Sequence, residues 1–306
     1  MTTRAPDRLE RPVLLFGGSG QVGRELRPAL ATLGTVVVPT HGEADFARPD
    51  GLRDLIRSLR PAAIVNAAAL TNVDRCEHEP DLARQLNAHA PATIGEEAHR
   101  VDAVMLHFST DYVFDGGQST PYDETATPRP INVYGETKLD GERAVAASGA
   151  AHLIVRTSWV YSRDGAGFVP TVLRQIDANS EVRAVADQVG SPTWSRSLAA
   201  ASTAMLRQLV TDAKLVLEAD GFGVYHLGGS GAASRVEIAT ELIAALHELR
   251  RPPRAQMVIP ISSTQFGAAA RRPHYSALKN DRALRRFGIA LDNWKLELRR
   301  MLSDAT

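Results

Sequence analysis

Phe16-Gly17-Gly18-Ser19-Gly20-Gln21-Val22-Gly23 lies between an apolar run, Val13 to Phe16, and a helical pattern from Gln21 to Leu33 that Gly34 closes. The glycines at 17, 20 and 23 keep a GxxGxxG spacing. After a strand and before a helix, that spacing has a physical purpose. It allows a tight turn, close approach of backbone N–H groups to a diphosphate, and close packing of helix on strand. The helix N-terminus favours the negative charge. A chain with this loop is expected to bind a dinucleotide through the stretch Gly17 to Gly23.

The rest of the first half repeats the same alternation. Thr35 to Val38, Ala62 to Ala68 and Ala103 to Ser109 read as strands, and His152 to Tyr161 as a further one. Helical patterns separate them at about 50–60, 91–100 and 134–147. Strands alternating with helices of this length mean βαβ units. Ala-Ala-Ile-Val-Asn is apolar on both faces, as an interior parallel strand requires. The expected fold is α/β, a Rossmann-type doubly wound parallel sheet with a smaller mixed C-terminal substrate lobe. Residues 1–12 carry charges and prolines and read as a loose extension without the apolar centre of a secretory signal. Residues 13–162 would form the dinucleotide-binding domain and 163–306 the lobe, with 182–229 the stretch where the chain can cross back to the sheet. Trp194 and Trp294 read as core.

Composition removes several function classes. Thirty-five basic and 35 acidic residues balance, and no basic block offers a footprint for nucleic acid. No run of about 18 apolar residues suggests a membrane span. A single cysteine, Cys76, excludes an internal disulfide and fits a reducing cytoplasm. Only Arg75 stands beside it to lower its pKa, so it reads as an inert thiol. The histidines show no HxxxH spacing, and no metal site is expected.

Tyr134 and Lys138 sit four apart on a predicted helix and share a face. A phenol with a pKa near 10 is a poor acid at neutral pH, and a neighbouring ammonium brings it down. Only four of the cations are lysines: Lys138, Lys214, Lys279 and Lys295. About 0.08 YxxxK pairs would arise by chance from six tyrosines and four lysines in 306 positions. Thr110, at the end of the fourth strand, is placed to hold a substrate oxygen beside the phenol, with Ser109 as the alternative. Arg156 is open between an ion pair and a ligand contact, Trp159 between ring stacking and core, and Asn66 between orienting cofactor or backbone and capping its strand.

Six ordered segments carry a resemblance: GGSGQVGREL at 17–26, IVNAAA at 64–69, STDYVF at 109–114, NVYGETKLDGE at 132–142, RTSWVY at 156–161 and DQVGSPT at 187–193. They resemble the extended short-chain dehydrogenase/reductases acting on nucleotide sugars, and within them the dTDP-4-dehydrorhamnose reductase family. The resemblance implies NADPH or NADH as cofactor, a dTDP-sugar as substrate, and a cytoplasmic monomer or homodimer in dTDP-rhamnose biosynthesis. It implies Thr110, Tyr134 and Lys138 as catalytic residues, the last two also touching cofactor. Asp111 and Trp159 match sugar-contacting positions. Gly20, Gln21, Val22, Asp45, Phe46, Ala67, Ala68 and Ala69 match cofactor positions. Arg272 to Ser276 resembles a C-terminal substrate loop, with His274 and Tyr275 departing from its pattern. Thr40 stands where a carboxylate is usual after the second strand, so the choice between NADPH and NADH stays open. Glu25 matches a glutamate linked to a Mg2+-dependent dimer in some members, but a single carboxylate in a first helical turn has the simpler reading of a dipole partner. Dehydratases of the group place a Glu after the Asp of STDYVF; Tyr112 stands there instead. An epimerase, or a non-catalytic relative such as the regulatory subunit of methionine adenosyltransferase, remain the rival readings.

Overall fold

The computed structural model describes residues 9–211 and 221–304. Six parallel strands form the central sheet. In chain order they alternate with helices: β1 (Leu9–Phe16), α1 (Gln21–Leu30), β2 (Gly34–Val37), α2 (Pro49–Leu59), β3 (Ala63–Asn66), α3 (Ala90–Arg100), β4 (Val104–Thr110), α4 (Val133–Ala147), β5 (His152–Thr157), α5 (Ser195–Thr211) and β6 (Gly223–His226). The spatial order is β2-β1-β3-β4-β5-β6. The order reverses between β1 and β3, and ligands of such sheets bind outside the strand ends at that switch point.

The core follows from the two-faced burial of the strands. Val13 and Leu15 of β1 pack into one layer with Leu26 and Leu30 of α1 and Leu198 and Leu206 of α5. Leu14 and Phe16 pack into the opposite layer with Leu52 and Ile56 of α2 and Ile94 of α3. Each fully buried side chain of this size contributes about 1.5–3 kcal/mol of transfer free energy.

Leu9 to Pro12, expected in a loose extension, instead begin β1, with Leu9 opposite Gly34. Arg11 holds them there, donating to Arg60 O (2.8 Å), Pro61 O (2.6 Å) and Val101 O (2.6 Å). These carbonyls lie just beyond the C-termini of α2 and α3, where a cation is favoured. Residues 1–8 of that expected extension lie outside the described residues, as does Lys214.

Within 182–229 the chain divides its allegiance. Glu181–Val185 pairs with Met257–Ile261 away from the main sheet, whereas α5 packs on α1 and β6 pairs with β5 at the sheet edge. A second core gathers Val172 and Ile176 of the helix Phe168–Ala178, Leu242 and Leu246 of α6 (Arg235–Glu248), and Leu298 of the helix Trp294–Ser303. Trp194 and Trp294 are both buried in it. The expected single strand His152 to Tyr161 is broken: β5 ends at Thr157, and Trp159 adopts φ 45 before a two-residue strand at Val160–Tyr161. No helix among the described residues is long and apolar enough to cross a membrane.

Candidate active site

The C-terminal ends of β1, β3, β4 and β5 open onto a cleft of about 1170 Å3. Sites for a single drug-sized ligand run to about 1,000 Å3, so this one has room for more than one small group. Its floor is the glycine loop. Gly17 has φ +78, and a Cβ there would lie 2.6 Å from the Ala67 carbonyl carbon. A Cβ on Gly23 would lie 2.0 Å from Gly17 O. The loop therefore exists in this shape only with glycine at both positions. Gly20 caps α1 without a side-chain hydrogen bond, which leaves the first turn of the helix to a ligand. Gly17, Gly20, Gln21, Val22, Phe46 and Ala67 to Ala69 all line the cleft. Gly23 acts behind it, as the contact between loop and helix. Asp45 does not line the cleft; it accepts from Ala47 N (2.9 Å) and pairs with exposed Arg48.

Thr110, Asp111, Tyr134, Lys138 and Trp159 line the same cleft. α4 starts at Asn132, whose side chain accepts from Gly135 N (2.8 Å) and donates to Arg271 O (2.8 Å). Gly135 lies so close to the turn after β4 that a Cβ would fall 2.1 Å from Tyr112 O. This approach puts Tyr134 edge-on to Tyr112, with ring centroids 5.8 Å apart, and within hydrogen-bonding reach of the Thr110 hydroxyl. Thr110 also donates to Asp111 Oδ1 (3.2 Å) and accepts from Tyr112 N (3.1 Å).

Burial raises the Tyr134 pKa above its ordinary value; Thr110 opposes the shift and Asp111 adds to it. The expectation was that Lys138 lowers it. Lys138 is not among the groups acting most strongly on the phenol, because its Nζ donates to Phe108 O (2.6 Å) and lies 3.3 Å from His107 Nε2. Burial brings Lys138 down to about 8, against the pull of Glu142.

Asp111 is buried, and burial lifts its pKa to about 6 although Ser276, Ser158 and Thr110 all donate to it. A carboxyl raised from 3.8 binds its proton more tightly in the folded state. It contributes stability below pH 4 that is lost as pH rises through about 6. Relative to Asp111→Asn, the native protein should lose about 2 kcal/mol of unfolding free energy between pH 4 and pH 7. Denaturant titrations of both proteins across that range measure the difference; a flat difference contradicts the assignment.

Sequence reasoning missed Arg235 at the start of α6. Its guanidinium lies 4.0 Å from the centre of the Trp159 ring and 4.6 Å from that of Phe168, and it lines the cleft. A lone arginine after a serine cap carries no spacing signal that could have marked it. Arg27, Thr40 and His41 also line the cleft. Thr40 is held by Glu43, whose carboxylate accepts from Thr40 N (2.7 Å) and Oγ1 (2.8 Å). Arg156 makes a buried two-pronged pair with Glu142 (2.7 and 2.9 Å) and stays out of the cleft lining. Cys76 is buried, and burial pushes its thiol up to about 11. Glu25 pairs with Arg196 (3.3 Å), which also holds Asp304 (2.6 Å). Among the described residues no group of three or more His, Cys, Asp or Glu is placed to hold a metal ion.

The dinucleotide loop at the switch point, with a Thr, Tyr and Lys set across the cleft, defines an extended short-chain dehydrogenase/reductase. A family model described as RmlD substrate binding domain matches residues 11–306. The chain is 38% identical to dTDP-4-dehydrorhamnose reductase of Escherichia coli (strain K12), over 95% of this chain and 97% of that one. It is 38% identical to the Burkholderia thailandensis dTDP-4-dehydrorhamnose reductase, over 92% and 95%. Among solved structures, dTDP-4-dehydrorhamnose reductase from Bacillus anthracis in complex with NADP superposes with a TM-score of 0.85 at 32% identity, covering 97% of this chain and all of that one. The chain belongs to the dTDP-4-dehydrorhamnose reductase family.

Proposed function

We propose that this protein reduces the 4-keto group of dTDP-4-dehydro-L-rhamnose to the alcohol of dTDP-L-rhamnose, with NADPH as reductant. The observation that carries the reading is the single cleft lined by both the glycine loop and the set Thr110, Tyr134 and Lys138. The relative from Bacillus anthracis, bound to NADP, supports the cofactor. Three polar atoms of cleft-lining residues, Ser109 Oγ, Thr157 Oγ1 and Trp159 Nε1, are buried without a partner, which suits a cleft that receives polar ligands.

When bound, the reduced nicotinamide supplies a hydride to the carbonyl carbon. The chain's own residues do the rest. Tyr134 Oη donates its proton to the carbonyl oxygen as negative charge develops there. The raised pKa keeps that proton on the phenol until the oxygen needs it. Thr110, held by Tyr112 N, turns its hydroxyl hydrogen from Asp111 to the same oxygen, while Asp111 stays fixed by Ser158 and Ser276. Gly17, Gly20, Gln21 and Val22 would cradle the diphosphate, with Gly23 supporting the loop, Phe46 and Ala67 to Ala69 walling the cleft, and Lys138 bonding the nicotinamide ribose. Asp111 and Trp159 would face the sugar.

NADPH preference is assigned to Arg27, which lines the cleft with Thr40, itself without a carboxylate. Arg27→Ala is expected to lower the ratio of kcat/KM for NADPH to that for NADH about tenfold, the loss of one charge-assisted phosphate contact. An unchanged ratio would remove Arg27 from this role. The activity itself is tested by feeding dTDP-glucose through the upstream dehydratase and epimerase, adding this protein, and following NADPH absorbance. No oxidation with NADPH or NADH would sink the reading.

A further inference from the structure

Behind the cleft, Asn66, His107 and Lys138 form a line of polar side chains, each 2% exposed or less. Ala68 N donates to Asn66 Oδ1 (3.1 Å). Asn66 Nδ2 lies 3.1 Å from His107 Nδ1, and His107 Nε2 lies 3.3 Å from Lys138 Nζ. Lys138 Nζ donates to Phe108 O at 2.6 Å.

The hydrogens along this line follow from donor and acceptor chemistry. A backbone N–H can only donate, so the amide oxygen of Asn66 faces Ala68 and its NH2 faces the ring. An amide NH2 can only donate, so His107 Nδ1 presents its lone pair. Burial in an apolar sheet keeps the imidazole neutral, well below its ordinary pKa, and a neutral ring with a bare Nδ1 carries its proton on Nε2. That N–H points at Lys138 Nζ. An ammonium has three donors and no acceptor, whereas a neutral amine has a lone pair to receive it.

We propose that the line of Asn66 and His107 favours the neutral amine form of Lys138 in the ligand-free protein, and that His107 is a positioning residue controlling the proton on that lysine. Protonating Lys138 requires His107 to move its own proton to Nδ1. There it meets the Asn66 NH2, which cannot turn without abandoning Ala68 N. One hydrogen bond of a buried line is lost in either arrangement, so the ammonium is disfavoured beyond the effect of burial alone. The other titratable groups around Lys138 do not replace this control. Glu142, one turn along α4, is engaged by Arg156 of β5. Tyr134, one turn before it on α4, Asp111, just after β4, and Cys76 are all pushed by burial toward their neutral forms. The protonation state stands on the hydrogen-bond line itself; its bearing on catalysis rests on the role proposed above for Lys138.

Four lysines make the test direct. With 13Cε-labelled lysine, the Lys138 signal is assigned by its absence in Lys138→Arg. Its midpoint is expected near pH 8, about two units below an ordinary lysine. With 15N-labelled histidine, His107 should carry its proton on Nε2 above the Lys138 midpoint, and shift it toward Nδ1 as Lys138 is protonated below that midpoint. Asn66→Asp gives Nδ1–H an acceptor, and should move the ring proton to Nδ1 and raise the Lys138 midpoint by a unit or more. Asn66→Ala frees the tautomer without adding a charge, and should shift the midpoint in the same direction. In the native protein, a ring proton that stays on Nδ1 above the Lys138 midpoint, or a Lys138 midpoint at the ordinary lysine value, overturns the proposal. So does a midpoint unmoved in both variants when circular dichroism shows them folded. None of these measurements uses a substrate, so their failure is distinguishable from failure of the reductase reading.

Discussion

Tyr134→Phe is expected to lower kcat about a thousandfold while NADPH binding stays within twofold. General acid catalysis by a positioned side chain contributes about 10²- to 10⁴-fold. Phe removes only the hydroxyl, leaving the ring in its edge-on contact with Tyr112. The substitution leaves the glycine loop itself unchanged. Thr110 keeps Asp111 and Tyr112 N, so the turn after β4 should hold. Steady-state kinetics beside a cofactor titration by fluorescence separates the two effects. A Phe variant with near-native kcat would mean that the proton comes from elsewhere.

Gly23→Ala is expected to weaken NADPH binding by about a hundredfold or more and to lower the melting temperature. The added Cβ would stand 2.0 Å from Gly17 O and 2.7 Å from Gly18 Cα. Both are backbone atoms, so no side chain can swing aside. Either α1 moves off the sheet or the loop changes shape, and overpacking of this kind costs about 1–3 kcal/mol or more. About 2.7 kcal/mol of lost binding is a hundredfold. Gly42→Ala is the control, because nothing lies within 4 Å of a Cβ there. Thermal unfolding with and without NADPH measures both quantities. If Gly23→Ala binds and melts like the native protein, the close contact between loop and helix is not a requirement.

The parts of the fold legible in the sequence are those held by local rules. β1 with its glycine loop, β3, β4 and α4 are specified by apolar runs, turn residues and helical spacing within a few positions. The YxxxK spacing placed Tyr134 and Lys138 on one helix face for the same reason. What escaped depends on contacts between distant segments. Nothing in Gly223–His226 says that it pairs with β5, and nothing in Ser195–Thr211 says that it packs on α1 instead of the second core. The left-handed backbone at Trp159 breaks a run that reads as one strand. Arg235 reaches the cleft only because α6 begins beside Trp159 and Phe168. Helical spacing says which residues share a face, not which competing acceptor a long side chain finds. Here Phe108 O and His107, on a neighbouring strand, take the lysine. Asp45 shows the converse, since a residue placed near the cofactor by its segment is used locally to shape a turn and pair with Arg48.

The central claim is net hydride transfer to the sugar carbonyl, and isotope transfer tests it most directly. The protein is incubated with dTDP-4-dehydro-L-rhamnose and NADPH deuterated at the transferable position of the nicotinamide, and the nucleotide sugar is analysed by mass spectrometry and NMR. One deuterium at C4 of the sugar is expected for each NADPH oxidised, in a product carrying an alcohol where the ketone stood. A converted sugar without deuterium, formed with no net loss of NADPH, would contradict it and assign the cleft to an epimerase.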